Sequence, residues 1–295
     1  MGKYSIKELE QLSGIKAHTI RIWEKRHNLV QPERTQTNIR YYADEDLKKI
    51  INVSILNNNG IKISKIANLT PSALSQRVQA LAESKQTTDL YIDQFVMAMI
   101  DLEEEKFEQL LSSLSLKFGL ERTITEIVYP FLEKIGILWQ VGGITPAQEH
   151  FITHLIRQKI IVATDALPMP PKDADRIILY LPEDELHELS LLFAYYLAKK
   201  AGFRVYYLGQ SVPYQDLKSV VEQHAPSKLA TIITARPSPK NVQAYLDKLA
   251  SDFPDLTVFV SGAIVRRSDL RYAANVRLFS NALAFRDMLL EKQSV

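Results

Sequence analysis

The chain has 295 residues, 46% hydrophobic and 24% charged, with a net charge of +2. That length allows two or three domains with sizeable cores, in a composition ordinary for a globular protein. The absence of cysteine excludes disulfides and thiolate metal sites. No run of about 18 apolar residues suggests a membrane partner, and the start "MGKYSIKELE" lacks a secretory core, so a cytoplasmic location is expected.

Charge is unevenly spread. Residues 1–75 carry twelve Lys and Arg against seven Asp and Glu, a surplus of +5. A basic head on a near-neutral body points to a polyanion partner, the plainer alternative being a solvated basic face. Within the head, "SIKELEQLSGIKAHTIRIWEKRHNL" predicts two short helices around the turn Ser13-Gly14-Ile15. Ile6, Leu9 and Leu12 recur at helical spacing in the first. In the second, Ile15, Thr19, Ile22 and Trp23 are expected to pack inward, leaving Lys16, His18, Arg21 and Lys25 outward. "VQPERTQTNIRYY" reads as polar turns ending in Arg40-Tyr41-Tyr42. Two further helices follow, "DEDLKKIINVSILNNNG", with acids in its first turn, and "KISKIANL".

This is a winged helix-turn-helix pattern. Over "YSIKELEQLSGIKAHTIRIWEKRHNLVQPERTQTNIRYYADEDLKKI" it resembles the MerR family of regulators. The resemblance implies a double-stranded DNA operator as partner, with His18, Thr19 and Arg21 facing DNA from the second helix and Arg34, Arg40 and Tyr41 from the wing. A helical protein-interaction module is the alternative. Residues 71–88 read as a linker with some helical character. No sustained heptad follows, unlike the long dimerising coiled coil of many MerR relatives.

Residues 89–166 read as a four-helix bundle. "YIDQFVMAMIDLEEEKFEQLLSSLSLKFG" gives two amphipathic helices. Ile124, Ile127, Val128, Phe131, Leu132, Ile135, Leu138 and Trp139 mark the third, which Pro130 is expected to kink. Thr145, Pro146 and Gln148 form the start of the fourth: an N-cap, a first-turn proline and a capping-box partner. Its apolar residues are Phe151, Ile152, Leu155, Ile156, Ile160 and Val162. "ALPMPPKDADR" is a second linker.

Residues 175–295 alternate between strand runs ("RIILYLP", "FRVYYLG", "LATIITA", "LTVFVSG", "VRLFS") and helical stretches. That order predicts a flavodoxin-like, doubly wound parallel sheet, whose ligands bind beyond the carboxyl ends of the strands. The loop after the first strand, "LPEDELHELS", places His187 there; the plain reading is a surface histidine at a helix start. The fold class expected is therefore multidomain α and α/β: a head at 1–75, a bundle at 89–166 and a sheet domain at 175–295.

A bundle followed by such a sheet, with Glu185-Leu186-His187 after the first strand, resembles the cobalamin-binding modules of corrinoid proteins. That resemblance implies His187 as lower axial cobalt ligand with Glu185 behind it. Trp139, nine intervening residues, then Glu149-His150 is similar to the upper-face signature of light-sensing, adenosylcobalamin-dependent MerR-like repressors of carotenoid genes. It implies Trp139 and Glu149 around the adenosyl group and His150 as a cobalt ligand after photolysis. The plain account is that Trp139 continues a core stripe and Glu149 complements a helix N-terminus. A metal pair at His150 and His154 is a third use.

Three positions depart from the corrinoid pattern. Ser190 replaces the Gly after the histidine motif. Thr234-Ala235-Arg236-Pro237 stands where Ser-x-Thr or Ser-x-Leu is expected, and Gly262-Ala263 replaces Gly-Gly. Each adds atoms or charge where the cofactor's tail needs close backbone approach. The expected function is a non-enzymatic, DNA-binding repressor that assembles as a dimer or tetramer and senses adenosylcobalamin and light. Two alternatives are the same build without cobalamin and a corrinoid carrier for methyl transfer.

Overall fold

The computed structural model describes residues 4–35, 38–85, 88–140, 144–234, 239–267 and 269–291. They divide into two compact units, Met1–Leu155 and Ile156–Val295.

The first unit opens with α1 (Ile6–Ser13), α2 (Ala17–His27), the antiparallel pair β1 (Glu33–Arg34) and β2 (Arg40–Tyr41), then α3 (Asp44–Asn58), α4 (Ile63–Ile66) and α5 (Pro71–Lys85). A capping box starts α1: the Ser5 hydroxyl accepts from the Glu8 N–H at 3.3 Å, and the Glu8 carboxylate takes the Ser5 N–H. Gly14, left-handed at φ 70°, ends it. The Ser54 hydroxyl of α3 donates to the Ser13 carbonyl at 2.6 Å and pins the turn. Lys16 gives α2 no side-chain cap, so Glu10 of α1 supplies one. Its carboxylate accepts from the Ala17 N–H at 2.9 Å and from Lys16 Nζ at 3.0 Å. Those bonds hold the Glu10 carboxyl below its ordinary range.

Two sequence expectations change here. Ile20 and Trp23 are the buried residues of α2, Thr19 is half-buried, and Ile22 is 44% exposed rather than inward. The predicted phase was drawn through Ile15, which precedes the helix and does not share its periodicity. Residues 71–85 are not a linker but α5, which packs on α3 with Leu74 and Val78 buried.

The bundle follows as α6 (Thr88–Ile100), α7 (Glu104–Phe118), α8 (Leu120–Thr123), a π-helical turn (Ile124–Val128), α9 (Tyr129–Gln140) and α10 (Pro146–Asp165). Phe95, Phe107 and Phe131 meet with ring centroids 4.7–6.0 Å apart at its centre. The irregularity expected at Pro130 takes the form of the π turn just before it. The Tyr129 N–H reaches back to the Ile124 carbonyl, widening the ladder where the proline ring would meet the preceding turn. The capping box of α10 forms as the sequence predicts. Gln148 Oε1 accepts from the Thr145 N–H at 3.1 Å, and Thr145 Oγ1 from the Gln148 N–H at 3.3 Å. Val162, expected on the apolar stripe, is 60% exposed. Two residues beyond Ile160, it falls on the opposite side of the helix.

The second unit holds the parallel sheet: β3 (Arg176–Pro182), β4 (Arg204–Val212), β5 (Lys228–Ile232), β6 (Thr257–Ser261) and β7 (Val276–Leu278), in the order β4-β3-β5-β6-β7. Between and after them run α11 (Leu189–Lys200), α12 (Tyr214–His224), α13 (Pro239–Asp252), α14 (Ala263–Arg267) and α15 (Ala282–Leu290). Leu217 and Val221 of α12 and Val242, Leu246 and Leu249 of α13 join one face of the sheet in a single core. α11 packs against β3, β4 and α15, and Phe285 of α15 meets Phe259 of β6, 5.7 Å between ring centroids. Buried on both faces, strands such as "KLATI" need no alternation of polar residues. This is the flavodoxin-like order, and the direction of winding reverses between β3 and β5.

Candidate cofactor site and nucleic-acid interface

The loop after β3 leaves the sheet at that switch point. Asp184 turns it with a left-handed φ of 66°. The Glu185 N–H returns to the Pro182 carbonyl at 3.0 Å, and the Ser211 N–H of β4 donates to the Glu185 carbonyl at 3.3 Å. This pins the loop to β4 and turns the Glu185 side chain inward, where the residue is 1% exposed. A buried carboxylate needs donors. Glu185 Oε1 accepts from the His187 N–H at 3.0 Å and lies 2.6 Å from His187 Nδ1, while Oε2 accepts from the Thr234 N–H at 2.6 Å. The imidazole is thus held from behind while its side chain remains 59% exposed. With Nδ1–H kept on the ring and donating to the carboxylate, Nε2 presents a lone pair, as in carboxylate-oriented histidine ligands of metals.

The next residue, Glu188, anchors a second network that sequence reasoning missed. Tyr207 Oη donates to its Oε1 at 2.9 Å, and Arg157 Nε to its Oε2 at 2.8 Å. Burial, then the Glu188 charge, pushes the Tyr207 hydroxyl up. The bond to Glu188 raises Arg157. No local spacing could have revealed it, because Arg157 stands 31 residues before its partner.

The other predicted cofactor residues fall as follows. Ser190, the second residue of α11, is exposed, and Thr234 meets Glu185 through its backbone. Gly262 has φ 117°, and a Cβ there would lie 2.1 Å from the Ile233 carbonyl oxygen, so this glycine serves strand-end packing. In the first unit, Trp139 is next to last in α9, its side chain outside the described residues, and Glu149 sits half-buried in the first turn of α10. His150 is exposed beside His154, 6.5 Å between ring centroids. Arg236 and Pro237 lie outside the described residues. Among the described residues, no group of three or more His, Asp or Glu could hold a metal ion alone.

On the head, His18, Arg21 and Arg34 are exposed, and Thr19 Oγ1 lies 3.3 Å from His18 Nε2. Arg34 reaches the Asn38 side chain at 2.6 Å. Arg40 Nε lies 3.5 Å from Glu24, and the Tyr41 hydroxyl donates across the hairpin to the exposed Glu33 carboxylate, which raises it.

Against known proteins, the MerR HTH family of regulatory proteins matches residues 4–73, and the B12 binding domain family matches residues 91–163. The chain joins a MerR-type helix-turn-helix domain to a B12-binding domain. It is 26% identical to the HTH-type transcriptional repressor CarH of Myxococcus xanthus, over 89% of this chain and 90% of that protein. It is 24% identical to the repressor CarA of the same organism, over 87% and 85%. The fold is shared with the monomethylamine corrinoid protein of Methanosarcina barkeri at 15% identity and a TM-score of 0.55. That match spans 69% of this chain and all but 1% of the corrinoid protein.

An imidazole oriented as that of His187 has the donor chemistry that a cobalt ligand would need. The sheet domain buries large aromatic side chains on both faces. On one face of the sheet, Tyr180 is fully buried, its hydroxyl 2.9 Å from that of Tyr245. On the other, Phe193, Phe259, Phe279 and Phe285 are all buried. No helix among the described residues is long and apolar enough to cross a membrane.

Proposed function

We propose that this chain is a cytoplasmic, sequence-specific DNA-binding repressor whose C-terminal half senses adenosylcobalamin and, through it, light. Residues 1–75 bind the operator, 89–166 cap the cofactor and 175–295 hold it. The carrying observation is His187, its Nδ1 2.6 Å from the buried Glu185 carboxylate at the sheet's switch point, in a chain that begins with a MerR-type head. In this reading His187, oriented by Glu185, would ligate the cobalt, and Ser190, Thr234 and Gly262 would flank the cofactor. Trp139 and Glu149 would contact the cofactor's adenosyl group, and His150 could supply a second imidazole ligand after photolysis. When bound, the corrinoid supplies a cobalt–carbon bond that light cleaves. His18, Thr19, Arg21, Arg34, Arg40 and Tyr41 meet DNA. The chain assembles as a dimer or tetramer, and regulation requires the assembly states to differ in affinity for the cofactor. Whole-length similarity to two repressors supports a regulator over an enzyme.

The large aromatics buried on both faces of the sheet favour a second reading, in which the same regulator works without cobalamin and the sheet domain serves assembly or another ligand. Size exclusion of protein mixed with adenosylcobalamin in the dark separates the two. Corrinoid absorbance eluting with the protein, together with a change in elution volume on illumination, supports the first. A colourless protein peak defeats it and leaves the second.

A further inference from the structure

A lone exposed isoleucine on an ordinary surface calls for no explanation. Ile22 is not on an ordinary surface. It lies on α2, one turn beyond His18, and on the helix side away from buried Ile20 and Trp23. Its exposed neighbours there are His18, Arg21 and Lys25. These polar side chains can bond phosphates or base edges; Ile22 can do neither. In a major groove, the feature an aliphatic side chain recognises is the thymine 5-methyl group, which a cytosine or purine lacks. The packing also fixes where Ile22 points. Glu10 caps the start of α2, left-handed Asn28 ends it, and Ile20 and Trp23 anchor it.

We infer that Ile22 is a specificity-determining residue that reads a thymine methyl at one position in each operator half-site. The inference rests on the proposed role of α2 as the groove-reading helix. It names the chemistry of the base pair read there, and it gives the recognition helix an apolar contact beside the polar ones.

The test replaces methyls without touching hydrogen bonds. An operator is first selected by the full-length protein from randomised duplexes. Each thymine is then replaced singly by uracil, and affinities are measured for wild type, Ile22→Val and Ile22→Ala. Wild type is expected to lose about fourfold at one thymine, and at its symmetry mate, the value of one buried methyl. Ile22→Ala should bind the thymine and uracil duplexes there equally, with Ile22→Val between. Both variants should fold, because the side chain is outside the core. If a sequence is selected but no thymine shows a methyl effect that Ile22→Ala removes, this inference is overturned and operator binding stands. If no sequence is enriched at all, both fall.

Discussion

Helix α2 and the His187 loop both present side chains to solvent, but they are supported in opposite ways. On α2 the support is apolar and remote from the working residues. Ile20 and Trp23 anchor the helix, while His18 and Arg21 are exposed. On the loop the support is polar and immediate. Glu185, buried and holding three N–H groups, is what aims His187. A function spread over exposed cations can lose one member without loss of fold. A function built on one buried carboxylate cannot.

The largest expected effect lies beside the loop. Gly262→Ala forces a methyl against the Ile233 backbone at a φ that side chains rarely adopt, so it should destabilise the second unit by about 3 kcal/mol or more in denaturant unfolding. Glu185→Ala comes next. It strands the Thr234 and His187 N–H groups and should cost about 2 kcal/mol while releasing the imidazole. Arg21→Ala should leave the unfolding midpoint within about 0.5 kcal/mol of wild type, yet weaken operator binding about tenfold and lower the salt slope by about one ion. Equal destabilisation by Arg21→Ala and Glu185→Ala would break the contrast between the two regions.

The smallest effect concerns a buried carboxylate with no candidate site beside it. Asp93 of α6 pairs with Lys134 at 2.8 Å, and burial raises its carboxyl above the ordinary range. The folded chain therefore binds this proton more readily than the unfolded chain. The resulting stability is present at low pH and lost as pH rises through the folded-state value. As pH rises from about 4, urea midpoints of Asp93→Asn should fall less than those of wild type. That outcome would show that burial alone does not make a carboxylate functional here.

Most of the architecture was legible in the sequence because it rests on local signals. Thr145 and Gln148 announced the start of α10, and the runs from "RIILYLP" to "VRLFS" announced the five strands of the sheet. The errors came where local signals carry no phase. Ile15 lies before its helix, so the stripe drawn through it turned Ile22 inward. α5 looked like a linker because its apolar content is sparse, yet Leu74 and Val78 suffice when α3 is there to receive them. At the site, the Glu185–His187 pair was legible because its members are two residues apart. The Thr234 N–H and the Arg157–Glu188–Tyr207 network were not, since only folding brings them together.

The central claim is that one chain couples corrinoid occupancy to DNA binding. It is tested most directly by the affinity of full-length protein for its selected operator, in darkness with and without adenosylcobalamin and again after illumination. The account predicts tight binding only with the cofactor in darkness, a loss of at least about fivefold on illumination, and no response in His187→Ala. The same affinity under all three conditions would contradict it.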